Sequence, residues 1–225
     1  MTKISFAITT HNESDSLSSL IDLLYACFDL KRHQLIILDD YSDETKTLEI
    51  LERVKASGGE VIQRKFDGDF SSHKNFIKSH CTGDYIFSLD GDEMPTQMLL
   101  RNLGQILDHN AESYAVARIN IVDGITDDHI EKWNWSVTSE GWINWPDWQV
   151  RIFKNCPQLN WEGHVHERIS GFKEFMYLPR DKGFALYHHK DIKRQEGQNQ
   201  FYSDLISTKF HQMRLEEIIE DKFPN

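Results

Sequence analysis

The chain of 225 residues has few cysteines and no long apolar run. Its three cysteines, Cys27, Cys81 and Cys156, are scattered and form no C-x-x-C pair. An odd set of this kind argues against a disulfide scaffold and fits a reducing compartment. No stretch approaches the ~20 apolar residues of a membrane span, and the N-terminus lacks the apolar core of a signal peptide. We therefore expect a cytoplasmic protein, free or peripheral to the inner face of a membrane.

The chain also lacks an excess of basic residues. It has 25 Lys and Arg against 36 Asp and Glu, and its formal net charge is -11 at pH 7. Non-specific binding to nucleic acid needs a basic footprint, so nucleic acid is not an expected partner. The charge gives no support for an anionic membrane surface as a partner either. Phosphate ligands remain compatible with it, because a bound cation reverses the local charge.

Three motifs of phosphate and metal chemistry are absent. No G-x-G-x-x-G follows the first predicted strand, which argues against a dinucleotide-binding Rossmann enzyme. No G-x-x-x-x-G-K-[ST] occurs, which excludes a P-loop NTPase. No H-E-x-x-H occurs, although His164, His166, His188 and His189 leave a histidine-rich metal hydrolase open as an interpretation.

The first half of the chain alternates strand and helix patterns. Strands are predicted over residues 4–10, 34–38, 60–64 and 85–89. Helices are predicted from a cap at Ser14 or Asp15, and over 44–57, 71–80 and 96–107. In the second of these helices, Leu48, Leu51 and Val54 are expected to share the apolar face. This alternation predicts βαβ units and a mostly parallel α/β sheet.

The second half of the chain has a different pattern. From residue 114 onward we predict short strands and loops, and all six tryptophans lie there. Residues from about 192 to 221 are predicted to form an amphipathic helix. No repeat or linker is evident, so we predict one domain over residues 1–225. Residues up to about 110 would form one functional half, and the remainder a second half with the C-terminal helix.

Polar or acidic loops follow three of the predicted strands. They are Thr9-Thr10-His11-Asn12-Glu13, the pair Asp39-Asp40, and Asp90-Gly91-Asp92. Each alone is compatible with a simple turn, but the carboxyl ends of parallel strands meet at the ligand-binding edge of such a sheet. Two aspartates flanking a flexible glycine can converge on one hard cation. The pattern therefore favours a metal and diphosphate site at this edge.

Four motifs occur in one order along the first half. They are Ile8-Thr9-Thr10-His11-Asn12-Glu13, Leu38-Asp39-Asp40-Tyr41-Ser42-Asp43-Glu44, Ser72-His73-Lys74-Asn75 and Leu89-Asp90-Gly91-Asp92-Glu93. This order resembles family 2 glycosyltransferases of the GT-A fold. Residues 148–154, 163–167 and 186–189 resemble, more loosely, the small bacterial branch related to lipopolysaccharide-core glucosyltransferases. Tyr41 departs from the pattern, since many family members have glycine there and tyrosine tolerates a positive φ poorly.

The resemblance implies that the half up to about residue 110 binds the nucleotide-sugar and that the half from about 111 to 225 binds the acceptor. It also implies roles for matching residues. The donor would be held by Thr10, His11, Asn12, Glu13, Asp39, Asp40, Lys74, Asn75, Asp90 and Gly91. The metal, Mn²⁺ or Mg²⁺, would be held by Asp90 and Asp92. His188 or His189 would complete the metal shell, as a C-terminal histidine does in some GT-A enzymes, or would be an ordinary polar pair. Arg151 would pair with the diphosphate or balance a nearby acid.

Two acids and two tryptophans are candidates on the acceptor side. Glu167 is our preferred general base, because it follows a Gly-x-x-His segment that resembles the family's acceptor side. Asp147 is its rival, and either could instead be a solvated or ion-paired acid. Trp145 and Trp148 are the tryptophans expected beside the acceptor, while core packing suits most of the six.

These expectations combine into one predicted function. The chain would be a metal-dependent, inverting glycosyltransferase that uses a nucleotide diphosphate-sugar donor, with a UDP-sugar favoured. Its acceptor would be a hydroxyl of a glycan or glycolipid. Besides the histidine-rich metal hydrolase, two alternatives remain open at this point: an unusual acceptor such as a modified nucleobase, and a non-catalytic sugar- or nucleotide-binding module with the same fold.

Overall fold

A computed structural model describes residues 2–222, with side chains described up to residue 208. The strands are β1 (Ile4–Thr10), β2 (Gln34–Asp39), β3 (Glu60–Gln63), β4 (Tyr85–Asp90), β5 (Glu93–Pro95), β6 (Ser113–Asp123), β7 (Ile143–Lys154), β8 (Asn160–Glu162), β9 (Arg168–Ser170), β10 (Phe175–Tyr177) and β11 (Ala185–Asp191). The helices are α1 (Ser14–Cys27), α2 (Thr45–Ala56), α3 (Phe70–Ser79), α4 (Gln97–Asp108), α5 (Asp127–Trp133) and α6 (Ile192–Lys222), with a 3₁₀ turn at Lys182–Phe184.

One nine-stranded sheet runs through both halves of the chain. Its order is β3-β2-β1-β4-β7-β6-β11-β5, and β10 also pairs with β6. The pairings of β1 with β2 and β4, of β2 with β3, and of β6 with β10 and β11 are parallel. Strand β7 is antiparallel to both neighbours, and β5 is antiparallel to β11. The predicted mostly parallel α/β sheet is confirmed, and β8 and β9 form a separate two-stranded sheet.

The core lies where helices cover the central strands. The apolar run of β4 is buried along Tyr85–Leu89, and β1 and β2 are buried in the same way. On α1 the buried positions are Leu17, Leu20, Ile21 and Leu24, which follow helical spacing. Each such buried side chain contributes about 1.5–3 kcal/mol relative to an exposed one. This packing fixes the carboxyl ends of β1, β2 and β4 side by side.

Two details of the predicted helices are wrong. Helix α1 begins at Ser14 after Glu13, whose side chain makes no capping hydrogen bond, so neither Ser14 nor Asp15 is the cap. On α2 the buried face comprises Thr47, Ile50, Leu51 and Val54, whereas Leu48 is 41% exposed. The true face repeats at i, i+3, i+4 and i+7, and Leu48 lies one residue, or about 100°, away from Thr47.

The second half differs from the predicted short strands. Strands β6 and β7 have 11 and 12 residues and pair with each other along most of their length. Register shifts between Tyr114 and Ala115 and between Arg118 and Asn120 interrupt their ladder. Bulges of this kind break strict alternation of apolar and polar residues. For this reason the sequence pattern does not predict the full length of the two strands.

Helix α6 is confirmed, but its inward face is polar rather than apolar. The partly buried side chains at helical spacing include Gln195, Gln198, Asn199 and Tyr202, while Phe201 and Ile206 are exposed. An inward polar face suits a wall of a solvent-filled cleft better than a core. Within residues 2–222, no helix combines the length and apolar character that a bilayer crossing requires.

Candidate functional site

A cleft of about 660 Å³ opens at the carboxyl ends of β1 and β4 and extends beneath α6. Its acidic lining residues are Glu13, Asp40, Asp90, Asp92, Asp147 and Glu167. Its Lys and Arg lining residues are Lys74, Arg118, Lys190 and Arg194. This is the edge of a parallel sheet at which open α/β folds bind ligands. The cleft therefore unites the predicted acidic loops with basic side chains from elements far apart in the chain.

Asp90, at the end of β4, is held by three side chains. Its Oδ1 atom accepts a hydrogen bond from Thr9 at 3.0 Å and pairs with Lys74 Nζ at 3.1 Å. Its Oδ2 atom lies 2.8 Å from Arg151 Nη2. Burial alone would raise the pKa of Asp90, but Lys74 and Arg151 outweigh it and hold the pKa well below its usual range. Asp90 is therefore a carboxylate fixed in orientation.

Lys74, on α3, lies between Asp90 and Glu167. The side chain is buried, its Nζ atom is 2.7 Å from Glu167 Oε1, and it lies 4.8 Å from the centre of the Trp161 ring. Two carboxylates and an aromatic face together stabilise one buried ammonium group. Lys74 thus joins the end of β4 to the segment between β8 and β9 that carries Glu167.

Asp92 is surrounded by basic groups from β11 and α6. Its Oδ2 atom lies 3.2 Å from His188 Nε2, 3.1 Å from Arg194 Nη2 and 3.6 Å from Lys190 Nζ. Burial opposes ionisation of Asp92, but the hydrogen bond and charge of His188, together with Lys190, hold its pKa well below the usual range. Burial also raises the pKa of Glu13, an effect that its ion pair with Arg194 partly offsets.

Gly91 permits a close approach between the end of β4 and β1. A Cβ atom added at Gly91 would lie 3.0 Å from Thr10 Oγ1 and 3.3 Å from the Cβ atom of Glu13. A side chain at position 91 would require Thr10 and Glu13, the ion-pair partner of Arg194, to shift by a few tenths of an ångström. The buried Thr10 hydroxyl has no hydrogen-bond partner among the described residues, so it is an unsatisfied polar group beside the cleft.

A second ion-pair network joins β5, β6 and β7 beside the cleft. Arg118 on β6 contacts Glu93 at 3.0 Å and Asp147 at 2.7 Å. Asp147 also accepts hydrogen bonds from Asn120 at 2.9 Å and Gln149 at 2.7 Å, so both of its oxygens are engaged. Charge and hydrogen bonds from these donors hold the pKa of Asp147 below its usual range against the opposing effect of burial.

His188 has a ring orientation suited to a metal ligand. The amide nitrogen of Asn120 donates to Asp147, so its oxygen, 2.8 Å from His188 Nδ1, is the acceptor and Nδ1 carries a proton. The other ring nitrogen then faces Asp92, and two Lewis bases that face each other require a proton or a cation between them. Asp92 and His188 therefore fit a divalent ion chemically.

The described residues contain no group of three or more His, Cys, Asp or Glu side chains arranged to hold a metal ion. The remaining ligands of an ion on Asp92 and His188 would have to be water or donor oxygens. The structure does not bring His189 to this group. Successive side chains on a strand point to opposite faces, and His189 is 57% exposed, where it pairs with Asp123.

The loops after β1 and β2 form the other end of the cleft. Asp39 is fully buried and accepts hydrogen bonds from the Ser42 amide and from Gln63, so it shapes the loop rather than lining the cleft. Asp40 lines the cleft, although its Oδ1 atom accepts a hydrogen bond from the Phe66 amide. The carbonyl of Asp40 also lies 2.8 Å from His11 Nδ1.

Tyr41 adopts a left-handed conformation, although glycine would adopt it more easily at this position. Its φ is 48°, and its side chain is exposed, which limits steric conflict to the backbone. Asn12, at φ 55°, bridges the two loops: its side-chain oxygen accepts from the Asp43 and Glu44 amides. Asn12 therefore organises the loop and is not among the residues that line the cleft.

Several other predicted residues also lie outside the cleft. The side chain of Asn75 makes two hydrogen bonds with the backbone of Trp161, at 2.8 and 2.9 Å, and so fastens β8 to α3. Arg151 is buried behind Asp90 and Glu93. Trp145 packs on Trp142, and Trp148 packs on Tyr177. These two tryptophans do not line the cleft, whereas Trp135 does.

Pattern reasoning did not assign roles to four residues that line the cleft: Arg118, Asn120, Lys190 and Arg194. Glu93 was part of the acidic motif but was given no role, and it lies behind the cleft as the partner of Arg118 and Arg151. The four lining residues come from β6, β11 and α6, which the sheet topology brings to the cleft. No local spacing links them to the first half of the chain.

Comparisons with known proteins agree with this geometry. A model of the family described as Glycosyl transferase family 2 matches residues 5–175. The crystal structure of S. aureus TarS 1-349 has a TM-score of 0.58 at 14% identity, over 83% of this chain and 60% of that one. Its complex with UDP-GlcNAc also has a TM-score of 0.58 at 14% identity, over 84% and 58%. The predicted GT-A fold is confirmed by this likeness.

Two curated relatives match in part. An undecaprenyl-phosphate 4-deoxy-4-formamido-L-arabinose transferase of Klebsiella pneumoniae (strain 342) is 28% identical over 127 residues, which is 55% of this chain and 39% of that protein. A protein of the same description from another K. pneumoniae strain is 32% identical over 94 residues, 40% of this chain and 29% of that protein. The matches span well under half the length of these relatives.

Proposed function

This chain belongs to glycosyl transferase family 2, and we propose that it transfers a sugar from a nucleotide diphosphate-sugar to a hydroxyl of a glycan or glycolipid. One observation carries the proposal. Asp90 and Asp92, fixed by basic partners, share a cleft with an acceptor-side carboxylate, Glu167. The cleft thus combines charged side chains that can position a diphosphate with a carboxylate that can deprotonate a hydroxyl. Glycosyl transfer requires both.

The favoured donor is a UDP-sugar. The nucleoside would lie at the end of the cleft formed by Thr10, His11 and Asp40, and the diphosphate would extend toward Asp92 and Lys190. Structures of S. aureus TarS with UDP and with UDP-GlcNAc support this choice of donor class through the shared fold. The description of the K. pneumoniae relatives names undecaprenyl phosphate and a sugar, which supports the lipid-linked kind of acceptor over a free glycan.

A divalent cation, Mn²⁺ or Mg²⁺, would be held by Asp92 and His188. When such an ion is bound, it neutralises charge on the diphosphate. The lining contains six carboxylates against four Lys and Arg side chains, so an anionic donor would otherwise enter a cleft with surplus negative charge. Asp90 would position Lys74 and Arg151 rather than bind the ion, because these two side chains already contact both of its oxygens.

Glu167 remains the preferred base, and the reaction would proceed with inversion. Lys74 contacts Glu167 Oε1, and no described side chain contacts the second oxygen, which is free to accept the acceptor's proton. Asp147 has both oxygens engaged and a lowered pKa, which makes it a weaker base. Its role would be to orient Arg118 and the acceptor side of the cleft.

The test is release of UDP from a panel of UDP-sugars, with and without glycan and glycolipid acceptors. Acceptor-dependent release supports transfer, whereas binding without any release would indicate a non-catalytic module, and release that no acceptor accelerates would indicate a hydrolase. Glu167→Gln should slow transfer about 10²–10⁴-fold with donor affinity nearly unchanged. Asp147→Asn is the matched variant. If it abolishes transfer while Glu167→Gln remains active, the base is Asp147.

A further inference from the structure

We propose that Arg194 of α6 is a donor-phosphate-binding residue, and that in the ligand-free protein it occupies the position on Asp92 that a divalent cation takes on loading. This inference rests on the proposed function and deepens it. It concerns a residue beyond positions 5–175, which the family model covers. The donor site of this chain would therefore be completed by its own C-terminal helix.

The charge around Asp92 carries the first step. Two fixed cations, Lys190 and Arg194, meet two carboxylates, Asp92 and Glu13, so their charges balance in the ligand-free protein. A divalent cation on Asp92 and His188 would take over the Asp92 carboxylate and add positive charge beside Lys190, which is buried. Arg194 would then lack one of its two anionic partners, and a diphosphate beside Asp92 would replace that partner.

The geometry of Arg194 carries the second step. Both of its carboxylate contacts, to Glu13 and Asp92, are made by Nη2. No described residue contacts Nε or Nη1, so the guanidinium retains donors for the paired oxygens of a phosphate. The side chain is 41% exposed, unlike Lys190 at 3%. Arg194 can therefore turn toward a ligand without leaving a packed core.

The start of α6 places Arg194 firmly in the first helical turn. The Arg194 amide donates to the Asp191 carboxylate at 2.9 Å, which fixes the turn. Ile192 lies against Gly124, where an added Cβ would be 3.2 Å from its Cγ2 atom. Further along, Gln195 and Gln198 line the same cleft, and Gln198 accepts from Lys190 at 2.6 Å. Helix α6 thus forms a wall of the cleft.

The two parts of the proposal predict opposite effects of one substitution. In Arg194→Gln a phosphate contact is lost, so affinity for UDP should fall by about 10- to 100-fold, the loss typical of one charge-assisted contact. The same change removes a cation from Asp92, so Mn²⁺ alone should bind roughly tenfold more tightly. A merely structural role for Arg194 would weaken both ligands together.

The experiment measures binding to the full chain without turnover. UDP is titrated calorimetrically in EDTA, uridine serves as the phosphate-free ligand, and Mn²⁺ binding is followed by electron paramagnetic resonance without nucleotide. Lys193→Gln is the control, because Lys193 is the exposed neighbour on the same helix. Arg194→Lys, which keeps the charge, should retain most UDP affinity, and it replaces the glutamine variant if that one does not fold.

Weaker UDP, unchanged uridine and tighter Mn²⁺ in Arg194→Gln would support the proposal. Unchanged UDP affinity in Arg194→Gln, or a parallel loss of UDP and Mn²⁺ binding, would overturn this inference. The proposed function would still stand in that case, because the wild-type chain would still bind UDP. If the wild-type chain binds no nucleoside diphosphate at all, the proposed function itself fails, and this inference fails with it.

Discussion

Replacing Lys74 by methionine would remove the cation that two cleft carboxylates share. Asp90 would keep Arg151 at 2.8 Å and Thr9 at 3.0 Å. Glu167, whose side chain is only 13% exposed, would lose its 2.7 Å partner. Breaking a buried ion pair from one side costs about 3–5 kcal/mol. Only one carboxylate is stranded here, so we expect the lower end, about 3 kcal/mol.

The assay is urea unfolding followed by tryptophan fluorescence, since Trp161 lies directly against Lys74. For a chain of this size a loss of 3 kcal/mol corresponds to a melting temperature lower by roughly 6–12 °C. Lys78→Met is the matched control. Lys78 is one turn further along α3, and its amine donates one long hydrogen bond, of 3.3 Å, to Asn160 among the described residues, so its loss should cost less than about 0.5 kcal/mol.

A double-mutant cycle tests the reason for the effect. When Lys74→Met is combined with Glu167→Gln, no carboxylate is left without its cation at position 167. The free energy of unfolding of the double mutant should therefore be about 2 kcal/mol higher than the two single losses, added together, would predict. If the two changes are additive within about 0.5 kcal/mol, the ion pair is not what Lys74 contributes. The loss would then belong to packing of its stem on Trp161.

Two further predictions concern the aspartates. Asp92→Ala should abolish the Mn²⁺-dependent gain in UDP affinity, measured calorimetrically, whereas His189→Ala should preserve it because His189 lies on the opposite strand face; equal losses would refute the assignment. The pKa of Asp90 is lower in the folded than in the unfolded chain, so its stabilisation is present above pH ~4 and declines below it. The difference in melting temperature between wild type and Asp90→Asn should therefore shrink from pH 6 to pH 3.

The end of the cleft at β1 and β4 was largely predictable from the sequence. Strand β1 has the predicted bounds, and β4 ends at Asp90 one residue beyond its predicted end. Apolar runs that stop at acids reveal both a buried parallel strand and its functional end. Period and composition therefore locate Asp90 and Asp92 without any tertiary information.

The rest of the cleft was not predictable in the same way. Arg118 and Asn120 flank a register shift in β6, and Lys190 and Arg194 reach the cleft because β11 pairs with β6. Only the order of strands brings them together. Asn75 shows the converse, because a polar residue inside a recognised motif serves to fasten β8 to α3. A side chain's residue type does not reveal which partner it will meet.

The position of β7 between β4 and β6 has a consequence for how the protein is made. Until β7 arrives, β4 presents a bare backbone edge along a run of apolar residues, with no proline or charge before Asp90. Such an edge is a template for pairing with other chains. During synthesis β4 emerges well before residues 143–154, so the unfinished chain carries this open edge on the ribosome. A fragment that stopped after α4 would keep it permanently, and we expect such a fragment to aggregate rather than bind nucleotide.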